Sequence, residues 1–598
     1  MPDEQKKIVP IDYTHREYES IRSDLMQIVE RFYPDNFKDW SEASFGSLML
    51  DAVAYVGDQL SFYLDYNVNE SFLDTAYQYN NILRHGRILG YKYTGRPSTY
   101  GKVAMYVIVP ASSTGIGPDV DYIPIVKRGA RMTSDTGLNF VLVENIDFAD
   151  PKNPVVVATA DTTTGAPTFY AIKAYGNVVS GFFSQERISV GAYQRFLRLR
   201  LRASDVNEVI SITDSQGNEY FEVDYLAQDM VLKEIANSNY KNDNVPSILK
   251  PLLVSRKFVV ERTRTNTYLQ FGSGQTGETN VVADPQSVAM NVFGKDYVTD
   301  ITFDPTRLSK NESLGMVPSN TTLTITYRVT NPANSNVGEG ALKTVANAKM
   351  NFVNLPALNT ATTKAVTDSL EVYNEEPIVG DVTSPTSGEI KRRIFDTFPT
   401  QSRAVTKADY ENLVYRMPAK YGSIKRVSAQ KDPNALKRNL NLYVISEDSQ
   451  GKLVKTNSTI KDNIKTWLNQ YRMINDTIDI LDPYILNIGI EFTIKAATGA
   501  DKFVLLDNAI NTLAAKYNYP FYIGEPFYIS DIYSELKNVN GLLDVLTVRL
   551  VNKGGSDYSS ANIDINDNIS PDGSYLMVPA NALVEIKFPT TDIKGKVV

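Results

Sequence analysis

Cysteine is absent from all 598 residues, which excludes disulfides, thiolate nucleophiles and every zinc or iron–sulfur centre built on sulfur ligands. Histidine occurs only as His15 and His85. Neither has a second histidine at metal-ligand spacing and no GxSxG elbow occurs, so a histidine-based triad has little to draw on. No apolar run reaches the ~18 residues that span a bilayer. The opening MPDEQKKIVP carries acids where a secretory signal has its apolar core. A soluble product, assembled where it is made and not inserted in membrane, is the expectation. Positive charge is not in excess either: 61 Lys+Arg stand against 69 Asp+Glu, a formal net charge of -8. No segment concentrates base enough for phosphate-backbone binding, so nucleic acid is not an expected partner.

What is present reads as a folded, multidomain chain. Hydrophobic residues at 42% and charged residues at 22% sit near globular averages. The length exceeds what one core serves, so about three to four domains are expected. The 36 tyrosines fit either half-buried strand positions or protein interfaces, where one end of the ring packs and the other hydrogen-bonds.

Three regions differ in pattern. Residues 1–96 read as a helical N-terminal domain, with Pro34 a break and Ser41 a candidate cap for a helix running to about Tyr66. Along that helix Phe45, Leu48, Ala52, Tyr55, Phe62 and Tyr66 form one apolar row, and Met49, Val53, Val56, Leu60 and Tyr63 a second. The remaining strip is Ser44, Ser47, Asp51, Asp58, Ser61 and Asp65. So wide a stripe needs more than one neighbour, supplied by a partner chain or by this chain's own later domains. A second helix, about Glu70 to Leu89 and stopped by Gly90, would contribute Phe72, Leu73, Ala76, Ile82 and Leu83. Arg84 and His85 near its end suit the helix dipole.

Residues 97–385 read as a β-rich central region of sandwich or barrel type, in one or two domains. KVAMYVIVP, NFVLVENI, FLRLRLR, KFVVERT, NTYLQF and TLTITYRV are strand-like runs between Gly, Pro, Asn and Asp clusters. FLRLRLR alternates Phe196, Leu197, Leu199 and Leu201 with Arg195, Arg198, Arg200 and Arg202. That pattern fits a half-buried strand with a charged face, or a basic binding stripe.

Residues 386–598, beyond a Pro/Gly/Thr-rich stretch from Glu375 to Gly388, read as an α+β domain. Thr406 and Asp409 form a capping box before Tyr410, Leu413, Val414 and Met417, and Pro418 ends the helix. Strands NLYVIS, TIDILDP, YILNIGIEFTI and LLDVLTVRL alternate with helices at Thr459 to Tyr471, Lys502 to Tyr517 and Ser530 to Asn538. Helices on a mostly antiparallel sheet follow, in a region with its own caps that should fold alone. The fold class is multidomain α+β.

Motifs that resemble chemical sites have simpler readings. Gly272, Gly274 and Gly277 spell GxGxxG, but ETNVVADPQ follows instead of the helix a pyrophosphate needs, which indicates a turn. Asp564, Asn566 and Asn568 open like a calcium loop, yet Ile569 and Tyr575 stand where a glycine and a bidentate acid belong. A paired-carboxylate glycosidase leaves no sequence signature and stays open on the residues alone. No catalytic residue, cofactor or metal is assigned.

Four segments, in order over most of the chain, resemble a known pattern: DWSEASFGSLMLDAVAYVGDQLSFYLD, YLQFGSGQTGE, RAVTKADYENLVYRMP and YNYPFYIGEPFYISDIYSELKNVNGLLDVLTVRL. They are similar to the J-like baseplate proteins of contractile-tailed phages, particularly the larger baseplate wedge subunit of T-even-type myophages. That resemblance implies a structural, non-enzymatic virion protein of the tail baseplate, assembled in the host cytoplasm. It implies a second copy of itself as partner, so a homodimer, with the C-terminal domain making ring contacts. It also implies a helical wedge partner subunit, a small lysozyme-like sheath-initiator protein, neighbouring wedges and the hub. The ring around the hub rearranges on tail contraction, and Phe45, Leu48, Tyr55 and Phe62 become partner-interface residues. Type VI secretion and other contractile injection machines use related proteins. The competing reading is a β-rich glycan-binding or depolymerising tail protein, which predicts coil-length repeats and aromatic platforms; this chain has no such repeat and two tryptophans.

Overall fold

The computed structural model describes residues 16–33, 44–95, 97–114, 116–236, 247–274, 314–330, 335–380, 385–432, 439–448 and 450–598. The expected markers His15, Pro34, Ser41 and Gly277 lie outside them. The chain divides into two compact units, Met1–Tyr91 with Pro385–Phe395, and Lys92–Ser384 with Asp396–Val598.

The first unit is helical. Helices α1 (Tyr18–Phe32), α2 (Phe45–Glu70) and α3 (Tyr79–Ile88) follow in order, and Ser387 to Phe395 of α4 (Ser387–Thr400) belong with them. Ser44 caps α2, accepting from the Ser47 amide at 3.1 Å, and α2 extends to Glu70, four residues past the expected Tyr66. The expected second helix is accordingly shorter. Phe72, Leu73 and Ala76 lie in the turn before it, because the Glu70 carboxylate ties that turn together. It accepts from the Tyr77 and Gln78 amides at 2.8 and 3.0 Å and from Asn81 Nδ2 at 2.9 Å. His85 Nε2 donates to the Glu70 carbonyl at 2.8 Å, so His85 also fastens α3 to the end of α2. Ile82 and Leu83 are buried, and at Gly86 a β-carbon would meet Ile394 of α4 at 2.8 Å, so only glycine lets these helices approach so closely.

The second unit holds two seven-stranded sheets and an α+β region, as the fold class requires. The first sheet runs Leu342–Asn347, Arg131–Ser134, Asn139–Leu142, Pro167–Ser180, Tyr100–Pro110, Glu371–Tyr373, with Val155–Ala160 added beside Pro167–Ser180. Its two end strands, Leu342–Asn347 and Glu371–Tyr373, lie against each other, so the sheet curls like a barrel. Val103, Met105, Val107 and Val109 are buried while Lys102, Tyr106 and Ile108 face away, the period of two that strands impose. The second sheet runs Phe182–Val190, Thr321–Val329, Val206–Thr213, Glu219–Glu222, Lys257–Arg262, Thr267–Phe271, Arg198–Arg200 around Phe258, Phe271, Leu269 and Ile325.

FLRLRLR is a strand only over Arg198–Arg200. Phe196 has a φ of 56° and is exposed, whereas Leu197 and Leu201 enter the core. Arg198 pairs with Glu261 at 3.0 Å and covers the Tyr268 ring, and Arg202 pairs with Glu186 at 3.3 Å. These two charges are engaged within the fold.

In the C-terminal part, helices α5 (Lys407–Tyr415), α6 (Ser458–Leu468), α7 (Lys502–Lys516) and α8 (Ile529–Lys537) pack on two four-stranded sheets. The capping box is formed as read: Asp409 donates its amide to Thr406 Oγ1 at 3.2 Å, and its carboxylate accepts from the Thr406 amide at 2.8 Å. The sheets are more parallel than expected. Asn439–Glu447 pairs parallel with Thr477–Leu481, and Tyr484–Ala496 pairs parallel with both Ala582–Glu585 and Ile593–Val597. The crossovers through α6 and through the segment after Leu542–Asn552 permit this, since parallel neighbours need a long connection. One core joins Tyr100 and Val179 of the first sheet to Leu413, Val427, Val444, Ile460 and Ile464.

Candidate interaction surface

In the α1–α2 hairpin, the polar strip of α2 faces inward. Arg22 of α1 forms an ion pair with Asp51 and reaches Ser47 Oγ at 3.2 Å; Arg16, preceding α1, pairs with Asp65. Between them a β-carbon at Gly57 would stand 3.3 Å from Ile21. The residues of α2 that are buried are Ser47, Ala54 and Glu70. Small side chains at Ser47, Ala54, Gly57 and Ser61 let α1 lie close, and the arginines reach over them to the acids. Ionisation follows the contacts. The Arg22 hydrogen bond holds the Asp51 carboxyl below the ordinary carboxylate range, and the Asn81 hydrogen bond does the same for Glu70.

The two apolar rows therefore point outward. Phe45 is 76% exposed, Leu48 61%, Tyr55 59% and Phe62 62%. All four lie on one row at positions 45, 48, 52, 55, 59, 62 and 66, the alternating three–four spacing of a helix-packing seam. Phe62 stacks on Tyr66 with ring centroids 6.2 Å apart. Met49, Val53, Val56, Leu60 and Tyr63 are exposed as a parallel seam. Contiguous apolar surface of this kind marks an interaction site more often than a solvated face.

The other sequence motifs are absorbed by the fold. At Gly272 a β-carbon would strike the Gly315 and Leu314 carbonyl oxygens, each at 2.4 Å, so this glycine serves close backbone packing. Asp564 caps the single helical turn Ile565–Asn568 through the Asn566 and Asp567 amides.

Residues 17–88 match a known family model, that of the bacteriophage baseplate protein, N-terminal domain. The matched span is α1, α2 and α3, the surface just described. No curated protein matches the chain. Among solved structures, the baseplate of the anti-feeding prophage is similar at 9% identity and a TM-score of 0.27, covering 96% of this chain and 99% of that one. A type VI secretion TssK-TssF-TssG baseplate subcomplex is similar at 8% identity and a TM-score of 0.24, covering 73% of this chain and 96% of that one. At those scores neither likeness establishes a shared fold over the whole chain.

Proposed function

We propose that this protein is a structural subunit of a contractile-tail baseplate, and that α2 is a central helix of a bundle completed by another subunit. The observation that carries this reading is the outward apolar double seam on the segment that matches a baseplate N-terminal domain. The occupant is a helical wedge partner. Seams at three–four spacing accept helices, the seam positions offer no charge for a polar ligand to pair with, and α1 has already taken the polar strip. The finer roles belong to the same proposal: a J-like wedge subunit, present with a second copy of itself. In that reading its C-terminal region joins neighbouring wedges into a ring around the hub, and the ring rearranges on contraction. Its N-terminal helices also meet the small sheath-initiator protein, and the virion tail baseplate is its location. Such work is mechanical and needs matched surfaces instead of a catalytic group.

Co-expression with the helical partner tests it. Tyr55→Ser with Phe62→Ser should abolish the complex, since loss of a buried interface aromatic costs about 2 kcal/mol or more. The chain itself should keep its fold. A double variant that still co-purifies at full stoichiometry contradicts the proposal.

A further inference from the structure

The strand Val155–Ala160 differs from every comparable sheet edge. Among the described residues, each other edge strand of three or more residues carries a charged side chain, such as Lys343 in Leu342–Asn347, Glu371 in Glu371–Tyr373, or Arg426 and Lys431 in Arg426–Lys431. Charges on an edge discourage pairing with another chain. Val155–Ala160 has none, is exposed along its whole length, and pairs among the described residues only with Pro167–Ser180. Val155, Val156 and Val157 are 45, 60 and 51% exposed.

Its unpaired backbone groups can be assigned. The Lys173 amide donates to the Pro154 carbonyl at 3.1 Å. By the alternation of an antiparallel ladder Val156 then also turns toward its neighbour, and the N–H and C=O of Val155 and Val157 point outward. The register shift at Ala158 confines regular pairing to these valines.

We propose that this edge is a self-association surface, on which the same strand of a second copy pairs antiparallel about a two-fold axis through Val156. In that register Val155 lies opposite the second copy's Val157, and both such pairs exchange backbone hydrogen bonds. A second copy fits because the strand does not oppose itself electrostatically: it is uncharged, so meeting itself sets no like charges together. The contact is short, hence weak and concentration-dependent. Nothing in it rests on the baseplate reading or on α2.

The absence of native cysteine makes a direct test available in the full-length chain. On the axis, Val156 and its copy would form a non-hydrogen-bonded pair with Cα atoms about 4.5 Å apart, within disulfide reach. Mild oxidation of Val156→Cys should give a covalent dimer, while Thr159→Cys, three residues off the axis, should not. Both are exposed positions, so folding is not at stake. The experiment is run in the Tyr55→Ser/Phe62→Ser background, which removes any association through α2. In that background Val156→Lys, with two like charges on the axis, should abolish the reversible dimer seen by sedimentation. Failure of Val156→Cys to cross-link, equal cross-linking of Thr159→Cys, or a dimer unaffected by Val156→Lys would overturn the proposal.

Discussion

The α1–α2 hairpin and the α7–α8 layer solve opposite problems with the same helical period. In α7 and α8, Leu505, Ala509, Leu513, Ile532 and Leu536 turn toward the sheet that holds Ile488, Ile490 and Phe492, and the apolar face is the buried one. In α2 the buried residues are serine, alanine and glutamate, while phenylalanine, leucine and tyrosine stay outside. A helix that is held by arginine–aspartate pairs and small residues leaves its apolar area facing outward. Large apolar residues mark the core in one region and an exposed face in the other, the face that the proposed function assigns to a partner.

The largest effect that would sharpen this comparison comes from cutting the chain. A fragment of residues 386–598 keeps the layer around Ile488, Leu513 and Leu536 but loses Tyr100 and Val179 from the core that contains Leu413, Ile460 and Ile464. It also loses the Tyr100 carbonyl that accepts from Asn457 at 2.8 Å. Hydrogen exchange should find α7 and α8 protected and α5 and α6 largely unprotected. Full protection of α5 and α6 would show that the region folds as a self-sufficient domain, as its own caps suggested.

Next in size, single truncations should separate the two regions. Leu413→Ala or Ile488→Ala, at fully buried positions, should lower stability by about 2–5 kcal/mol. Leu48→Ala or Phe62→Ala should change the stability of the isolated chain by only about 0.5 kcal/mol. Denaturation followed locally by hydrogen exchange would show it, and a large loss from Phe62→Ala would mean that this ring already packs within the chain.

Smaller still is the cap. Thr406→Ala removes the acceptor for the Asp409 amide and should cost about 1 kcal/mol, seen as a lower denaturation midpoint.

The smallest expected effect concerns pH. Asp51 and Glu70 have folded-state pKa values below their ordinary 3.8 and 4.5, through Arg22 and Asn81 respectively. Their contribution is in place above the unfolded carboxylate range and is lost as pH falls through the lowered folded values. Mild acidification below about pH 4 should therefore loosen α1 and α3 against α2. Exchange rates in α1 and α3 measured from pH 5 downward would check it, and unchanged protection through about pH 3 would contradict it.

How much of this was legible in the sequence depends on which physical signal was local. The capping box at Thr406 and the strands from Tyr100 and Tyr484 were readable, because caps and period-two runs are complete within a few residues. Helix α4 was not read, since its start lies in a Pro/Gly/Thr-rich stretch and Pro399 sits inside it. Parallel pairing of the C-terminal strands was missed, because periodicity says nothing of strand direction. For α2 the rows were correct, but periodicity tells which residues share a face and not which face turns inward. The overlooked signal was the run of small residues Ser47, Ala54, Gly57 and Ser61 on the strip whose acids pair with Arg22 of α1 and with Arg16 just before it. Phe45, Leu48, Tyr55 and Phe62 were named together from the sequence, and the structure brings them together on one exposed row.

The central claim is that the α2 seams are solvent-facing in the free subunit and covered by partner helices in the assembly. Cysteine placed singly at Tyr55 or Phe62, in a chain that has no other, reports this through maleimide labelling. Rapid labelling of both in the isolated chain and none in the assembled particle, with Ala54→Cys protected in each, is the predicted result. Equal labelling of Phe62→Cys before and after assembly, or protection already in the isolated chain, would contradict it.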